Sequence, residues 1–418
     1  MQTRATRVGP ALLVTLVAGL ALASAAQADR SEWRQVFLNG PIETKLADGS
    51  TRTLDPSCST GPTRAPDGSI VPANPQYSFF IREGNPNKLL VALDGGGACW
   101  DASTCLGSPL AGSSTYTQAV DENPARLGNG QGLFDRSNPE NPFKEYTQVF
   151  VPYCSGDVHW GSKDTTYTLP TPAGPLPWTI RHRGTDNFLA VIDWLRRNGR
   201  REYRVDLGRV HDVTVTGASA GGYGAMIAYA HVAELTPRAR HNLLADASIG
   251  VLTPSFFDKA IYNPAAPDSV SWGVEDGLPP WVPGFALLLP TASANPNLLV
   301  PLAFQSLSAW KPDARYGSLT THLDLTQVFF YALMKGELSP SPATAAEWYF
   351  GMKGITSATA SLANYRYFID AGTTHTFIGN DALTYGVGVN GVSVAEWVRA
   401  MIKPGHRQWE NLDAGPPF

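Results

Sequence analysis

The sequence predicts an α/β fold in a single domain, with a largely parallel central sheet flanked by helices and interrupted by loop insertions. Three observations carry this reading. Short apolar strands alternate with helical stretches along the chain, the pattern of a parallel sheet. The run Leu89-Leu90-Val91-Ala92-Leu93 is apolar without a break, as a strand buried on both faces requires. No linker, repeat or low-complexity tract divides the chain, although its 418 residues are enough for one large domain or two small ones.

The elements follow in order. Residues 1–28 read as an export signal. Arg4 and Arg7 precede an apolar run over residues 11–23, and Ala26-Gln27-Ala28 offers small residues at a cleavage point. The run is shorter than the roughly 20 residues of a membrane-spanning helix, which argues against an anchor. No Cys stands beside the cleavage point, which argues against a lipoprotein. Residues 30–75 are polar and turn-rich and read as surface loops around an early strand or two. Strands are expected at residues 77–81, 89–93, 147–151, 213–216, 243–245 and 365–369, with a turn at residues 84–87. Residues 185–198 read as a helix, with Thr185 as N-cap, Phe188, Leu189, Ile192 and Leu195 on one face, and Gly199 as its stop. A second, apolar helix covers residues 223–233. The proline-rich residues 168–178 read as a surface loop. Residues 276–304 read either as a surface loop or as a lid or apolar wall.

Composition narrows the function. Removing the signal takes the formal charge from −4 to −6. A nucleic-acid protein usually carries a basic footprint, so no nucleic-acid partner is expected. Stable membrane association is not expected either, and a monomer is. A net acidic chain is also not pre-adapted to a polyanionic polymer. Only Arg181, His182 and Arg183 suggest a local basic patch. The cysteines, Cys58, Cys99, Cys105 and Cys154, fit two disulfides in an oxidising compartment. Cys99 and Cys105 are close enough to close a short loop, leaving Cys58 with Cys154. Zinc is the alternative, but there is no Cys-x-x-Cys pair and no His-Glu-x-x-His helix.

The chemistry centres on Gly217-Ala218-Ser219-Ala220-Gly221-Gly222. A strand leads into this Gly-x-Ser-x-Gly and a helix follows it, the context of a nucleophile elbow on an α/β-hydrolase-like sheet. Ser219 is therefore the expected nucleophile. Large side chains at 217 and 221 would collide, hence the glycines. An oxyanion needs backbone N–H donors. Ala220 offers one, and Leu93-Asp94-Gly95-Gly96-Gly97-Ala98-Cys99 offers Gly96 and Gly97 in a loop after an early strand. No lysine follows in the phosphate-loop pattern, so a nucleotide site is not expected.

The fold orders its triad Ser, acid, His. His375 follows the strand at 365–369 and is favoured as base over His406, which lies in a polar tail. Asp246, Asp324 and Asp370 compete for the acid. On position alone Asp324 is an ordinary helix cap.

Three motifs together resemble the pectin acetylesterase and Notum family. They are Gly95-Gly96-Gly97-Ala98-Cys99-Trp100, Val151-Pro152-Tyr153-Cys154-Ser155-Gly156-Asp157-Val158-His159-Trp160-Gly161 and the Ser219 elbow. The resemblance spans roughly residues 55–380. It implies an α/β-hydrolase fold, a Ser-Asp-His triad and carboxylesterase activity, usually deacylation. The family's acid lies in an Asp-x-x-Gln segment, which Asp324-Leu325-Thr326-Gln327 matches, and this selects Asp324. The family's oxyanion glycines map onto Gly95, Gly96 and Gly97, with Ala220 as a further donor. Gly97 and Ala98 stand where the animal deacylase has an aromatic residue, so its fatty-acyl pocket does not carry over. The cysteines are fewer than in animal and plant members, so their disulfide pattern does not carry over either.

The expectation is thus a secreted or periplasmic serine carboxylesterase using Ser219, Asp324 and His375 through an acyl-enzyme, with no metal or organic cofactor. Its substrate would be a small ester or an acylated polymer such as an acetylated polysaccharide. Asp157, His159 and Trp160 are the substrate-contact candidates, set against a purely structural loop. A polyester depolymerase or lipase would use the same triad. A non-catalytic carbohydrate-binding protein is the alternative from another class, and nothing selects for a serine peptidase.

Overall fold

The computed structural model describes residues 32–107, 115–121, 130–403, 405 and 408–416. The expected export signal and His406 lie outside the described residues. Nine strands form the central sheet: β1 (Arg34–Leu38), β2 (Tyr77–Arg82), β3 (Asn85–Leu93), β4 (Tyr146–Val151), β5 (Asp212–Ala218), β6 (Arg240–Asp246), β7 (Arg315–Thr321), β8 (Tyr365–Asp370) and β9 (Leu412–Asp413). Their order is β1-β2-β4-β3-β5-β6-β7-β8-β9. β1–β2 and β2–β4 pair antiparallel, and every other pair is parallel. This is a mixed α/β, α/β-hydrolase-like fold.

The two-residue period of a strand explains why the central strands are apolar throughout. In β3, Leu89, Val91 and Leu93 enter one core, together with Val213, Val215 and Leu243. Leu90 enters the opposite core with Leu244, Leu319 and Phe368. Burying each such side chain contributes about 1.5–3 kcal/mol relative to exposure. The first face is covered by α1 (Gly184–Trp194) and α2 (Ala220–Leu235). Helices α3 (Leu299–Trp310), α4 (Leu325–Met334) and α5 (Pro342–Thr359) continue that layer. Helix α6 (Val394–Ile402) covers the second face with Trp397, Val398 and Met401.

Several local expectations are corrected. Residues 30–75 hold β1 and two small hairpins, Ile42–Lys45 with Thr51–Leu54 and Pro62–Arg64 with Ile70–Pro72. The expected turn at 84–87 is shortened, because β3 already begins at Asn85 with a bulge before Leu89. Residues 168–178 are not a loop. Lys163–Thr171 and Gly174–His182 form a hairpin in which Pro170 faces Pro175. A two-stranded ribbon has an open edge on each strand, which is where proline is tolerated.

Helix α1 starts at Gly184, and Thr185 does not cap it. Its hydroxyl donates to Trp160 O at 2.9 Å. Gly199 does not stop the helix either. At φ −54° it remains helical, and the chain turns only at Arg204, φ +58°. The end needed a left-handed residue, and Arg204 takes that conformation in place of the nearby glycine. Residues 276–304 form short turns and the start of α3, with Phe285, Leu288 and Leu289 packed into the main core.

Candidate active site

The elbow is built as its glycines require. Ser219 lies between β5 and α2 at φ +57°, ψ −124°. A Cβ on Gly217 would come within 2.1 Å of Gly221 O, and one on Gly221 within 2.0 Å of Leu93 O. The obstacle at 221 is therefore the end of β3 rather than residue 217. Ser219 N donates to Asp246 O at 2.8 Å. The Ser248 hydroxyl donates to Ser219 O at 2.7 Å. The strained turn is thus held from β6.

His375 sits on the loop after β8. Its Nδ1 lies 2.8 Å from each oxygen of Asp324. A carboxylate accepts, so Nδ1 carries the hydrogen. Asp324 is fully buried. It also caps α4 by accepting from Gln327 N at 2.9 Å, and it accepts from Gln327 Nε2 at 2.9 Å. One carboxylate therefore both caps α4 and meets the His375 ring. The loop bearing His375 is pinned by Thr321 Oγ1 donating to Thr374 O at 2.8 Å. Its other side is pinned by Phe377 N and Ile378 N, which donate to Asp246 Oδ2 at 2.6 and 2.9 Å.

Of the three competing acids, Asp324 alone meets the imidazole. Asp370 accepts from its neighbour Ala371 N. Asp246 holds the loop rather than the ring. Burial pushes its carboxyl up to about 7, against the two backbone donors and His375, with Asp324 adding to the rise.

The glycine loop ends β3 beside the elbow. Gly97 has φ +75°, and a Cβ there would lie 1.9 Å from Thr115 O, so only glycine fits. Among the described residues, no acceptor takes the N–H of Gly96, Gly97 or Ala220. Ala220 opens α2, where backbone donors have no partner within the helix.

Ser219, Ala220, Gly97 and His375 line one cavity of about 70 Å3. Most of its remaining wall is apolar and includes Trp160, Val251, Phe256, Trp272, Phe330 and Trp348, with Thr326 and Gln327 as polar members. These residues come from separate loops and helices with no common period, and apart from Trp160 none was singled out in the sequence. The assembly sets a hydroxyl on a strained turn, a carboxylate-oriented imidazole and backbone donors around a largely apolar pocket.

The loop at residues 153–162 divides. Trp160 faces the cavity. Asp157 and His159 are buried behind it, which corrects their reading as substrate contacts. Asp157 accepts from Ser155 Oγ at 2.6 Å, from His159 N at 3.1 Å and from Gly184 N, at the start of α1, at 2.8 Å. Burial pushes it up to about 6 against those donors. His159 Nε2 donates to Asp94 O at 2.9 Å, and burial lowers the imidazole to about 4. The expected basic patch is also neutralised. Arg181 pairs with Asp55 and Asp164, and Arg183 with Asp164 and Asp186. His182 is buried and lowered to about 4 by desolvation.

Cys58 bonds Cys154, and Cys99 bonds Cys105, the pairing read from spacing. The first ties the loop at residues 153–162 to the N-terminal part of the chain, and the second closes a short loop after the glycine run. With their sulfurs joined, Cys99 and Cys105 are not thiolate ligands for zinc beside His182.

The pectinacetylesterase family model matches residues 67–257. That stretch holds the glycine loop, the loop at residues 153–162 and Ser219. Over 167 residues the chain is 28% identical to the palmitoleoyl-protein carboxylesterase Notum of Schmidtea mediterranea. The alignment covers 39% of this chain and 27% of that relative, so the chain matches about a quarter of the relative's length. Together with the three motifs, these matches make the chain similar to the pectin acetylesterase and Notum family.

Proposed function

We propose that this protein is an exported carboxylic ester hydrolase in which Ser219 is the nucleophile. The observation that carries the reading is the Asp324–His375 pair, held at 2.8 Å on a loop that opens on the same cavity as Ser219. His375 Nε2 takes the proton of the Ser219 hydroxyl as its oxygen attacks the ester carbonyl. Asp324 keeps the ring oriented and stabilises its cation. The N–H groups of Gly96, Gly97 and Ala220 receive the oxyanion, where each donor is worth about 10²–10³ in turnover. The alcohol leaves with the proton from His375, and water then resolves the acyl-enzyme.

The acyl group takes the cavity. Its apolar wall favours an acyl chain longer than acetyl, and the alcohol side stays open to a small alcohol or an acylated polymer. Export is supported by the two disulfides. Among the described residues, no helix is long and apolar enough to cross a membrane. The test is turnover of p-nitrophenyl esters by wild type and Ser219→Ala, with fluorophosphonate labelling of Ser219. Loss of turnover and of labelling in the variant is expected. Equal turnover by both proteins overturns the assignment.

A further inference from the structure

We propose that Trp160 is the specificity-determining partition of the acyl site and fixes the longest acyl chain it accepts. This rests on the ester-hydrolase reading above. A second apolar void lies behind the cavity, bounded by Met226, Ile227, Phe285, Leu289 and Ala303 among others. Trp160, Leu299 and Val300 line both spaces. These three side chains are therefore the wall between them.

The wall is fixed. Trp160 Nε1 donates to Tyr223 O at 2.8 Å, in the first turn of the helix that Ser219 precedes. Its ring meets that of Tyr223 edge-on, at 6.0 Å and 84°. Its backbone is held on both sides: Trp160 N donates to Asp157 O at 3.0 Å, and Trp160 O accepts from Thr185 Oγ1 at 2.9 Å. Only 5% of the residue is exposed. A side chain gripped at its indole nitrogen, its ring face and its backbone acts as a stop rather than a gate.

The volumes set the limit. The cavity of about 70 Å3 is several times the size of the second void of about 10 Å3, so it is the space with room for an acyl chain. Its size places the wild-type preference among short to medium acyl chains. The second void, about 10 Å3, is too small for a chain while Trp160 is in place. Removing the indole joins the two spaces and makes room for several more methylenes. Each newly buried methylene is worth about a four-fold gain, so three give roughly fifty-fold.

The experiment measures kcat/KM on p-nitrophenyl acetate, butyrate, hexanoate, decanoate and palmitate. The proteins are wild type, Trp160→Ala, Leu299→Ala and the double variant Trp160→Ala/Ala303→Phe, with Ser219→Ala as blank. Wild type should peak among the short to medium esters and fall steeply by palmitate. Trp160→Ala should raise the decanoate-to-butyrate ratio roughly fifty-fold. Ala303→Phe, which fills the far space, should take that gain back. If Trp160→Ala does not fold, Leu299→Ala opens the same wall and should shift the ratio in the same direction. A wild-type profile that stays flat to palmitate, or folded wall variants that keep the wild-type profile, overturns the partition while leaving the ester reading standing. No Ser219-dependent turnover of any ester overturns the ester reading, and the partition with it.

Discussion

Asp246→Asn should flatten part of the pH dependence of stability. The carboxyl is fully buried at the end of β6. Its Oδ2 accepts from Phe377 N and Ile378 N, while Oδ1 has no partner among the described residues. Burial raises it from 3.8 to about 7. A folded protein that keeps a proton which the unfolded chain releases loses stability as pH rises between those two values. At about 1.4 kcal/mol per pH unit, the loss amounts to about 4 kcal/mol from pH 4 to pH 7. Asparagine cannot titrate, and its oxygen can still accept from both backbone donors. The two proteins should therefore be close in stability near pH 4, and the variant should lead by up to about 4 kcal/mol at pH 8.

The absolute curves do not isolate this effect. Asp94, raised to about 7, and Asp157, raised to about 6, both by burial, push stability the same way. His159, His182, His231 and His241, lowered to about 4 by burial, push it the opposite way between about pH 4 and 6.5, because the unfolded chain binds more protons there. All of these titrate alike in both proteins, so the difference between urea unfolding free energies across pH 4–8 reports Asp246. A difference that does not change with pH refutes the reasoning. Asp246→Ala is the control. It strands two buried N–H groups at about 1–3 kcal/mol each, at every pH.

The remaining predictions concern Asp324 and the bridges. Asp324→Asn keeps an oxygen for capping α4 but no longer fixes the tautomer of His375. Ester turnover should fall about 10⁴-fold with the melting temperature little changed, as read by kinetics and thermal denaturation on one preparation. The Cys58–Cys154 bridge spans 96 residues and Cys99–Cys105 spans 6. Chain entropy makes the first worth about 4–5 kcal/mol and the second about 2 kcal/mol. Urea unfolding of the Cys58→Ser/Cys154→Ser and Cys99→Ser/Cys105→Ser pairs should show the larger loss for the first.

What the sequence revealed was what is local. The strands β3, β4 and β5 announce themselves as apolar runs, and Ser219 as a turn whose glycines have a steric cause. β7 did not, because Ser318, Thr320 and Thr321 are buried polar residues within it, and their burial depends on neighbours distant in sequence. The hairpin of residues 163–182 was hidden by prolines that only an edge position tolerates. Asp324 could not be chosen from its surroundings, since a helix cap and a histidine partner demand the same carboxylate. Family resemblance resolved that choice. Trp272, Phe256 and Trp348 meet at the cavity only through the fold, and no spacing in the chain relates them.

The parts of the site share one edge of the sheet. The glycine loop follows β3, Ser219 follows β5, Asp246 ends β6, Asp324 follows β7 and His375 follows β8. These five strands are consecutive neighbours, all parallel. Their C-terminal ends therefore lie side by side, and each loop needs to supply only one group. The arrangement also makes the parts interdependent, because a slip of one residue in any strand turns its side chains to the opposite face. Asp246 is where this dependence concentrates. Its backbone oxygen holds Ser219 N, and its carboxylate holds the loop that carries His375. A change of side chain there disturbs the His375 loop and leaves the anchor of Ser219 in place, whereas a shift of β6 displaces both.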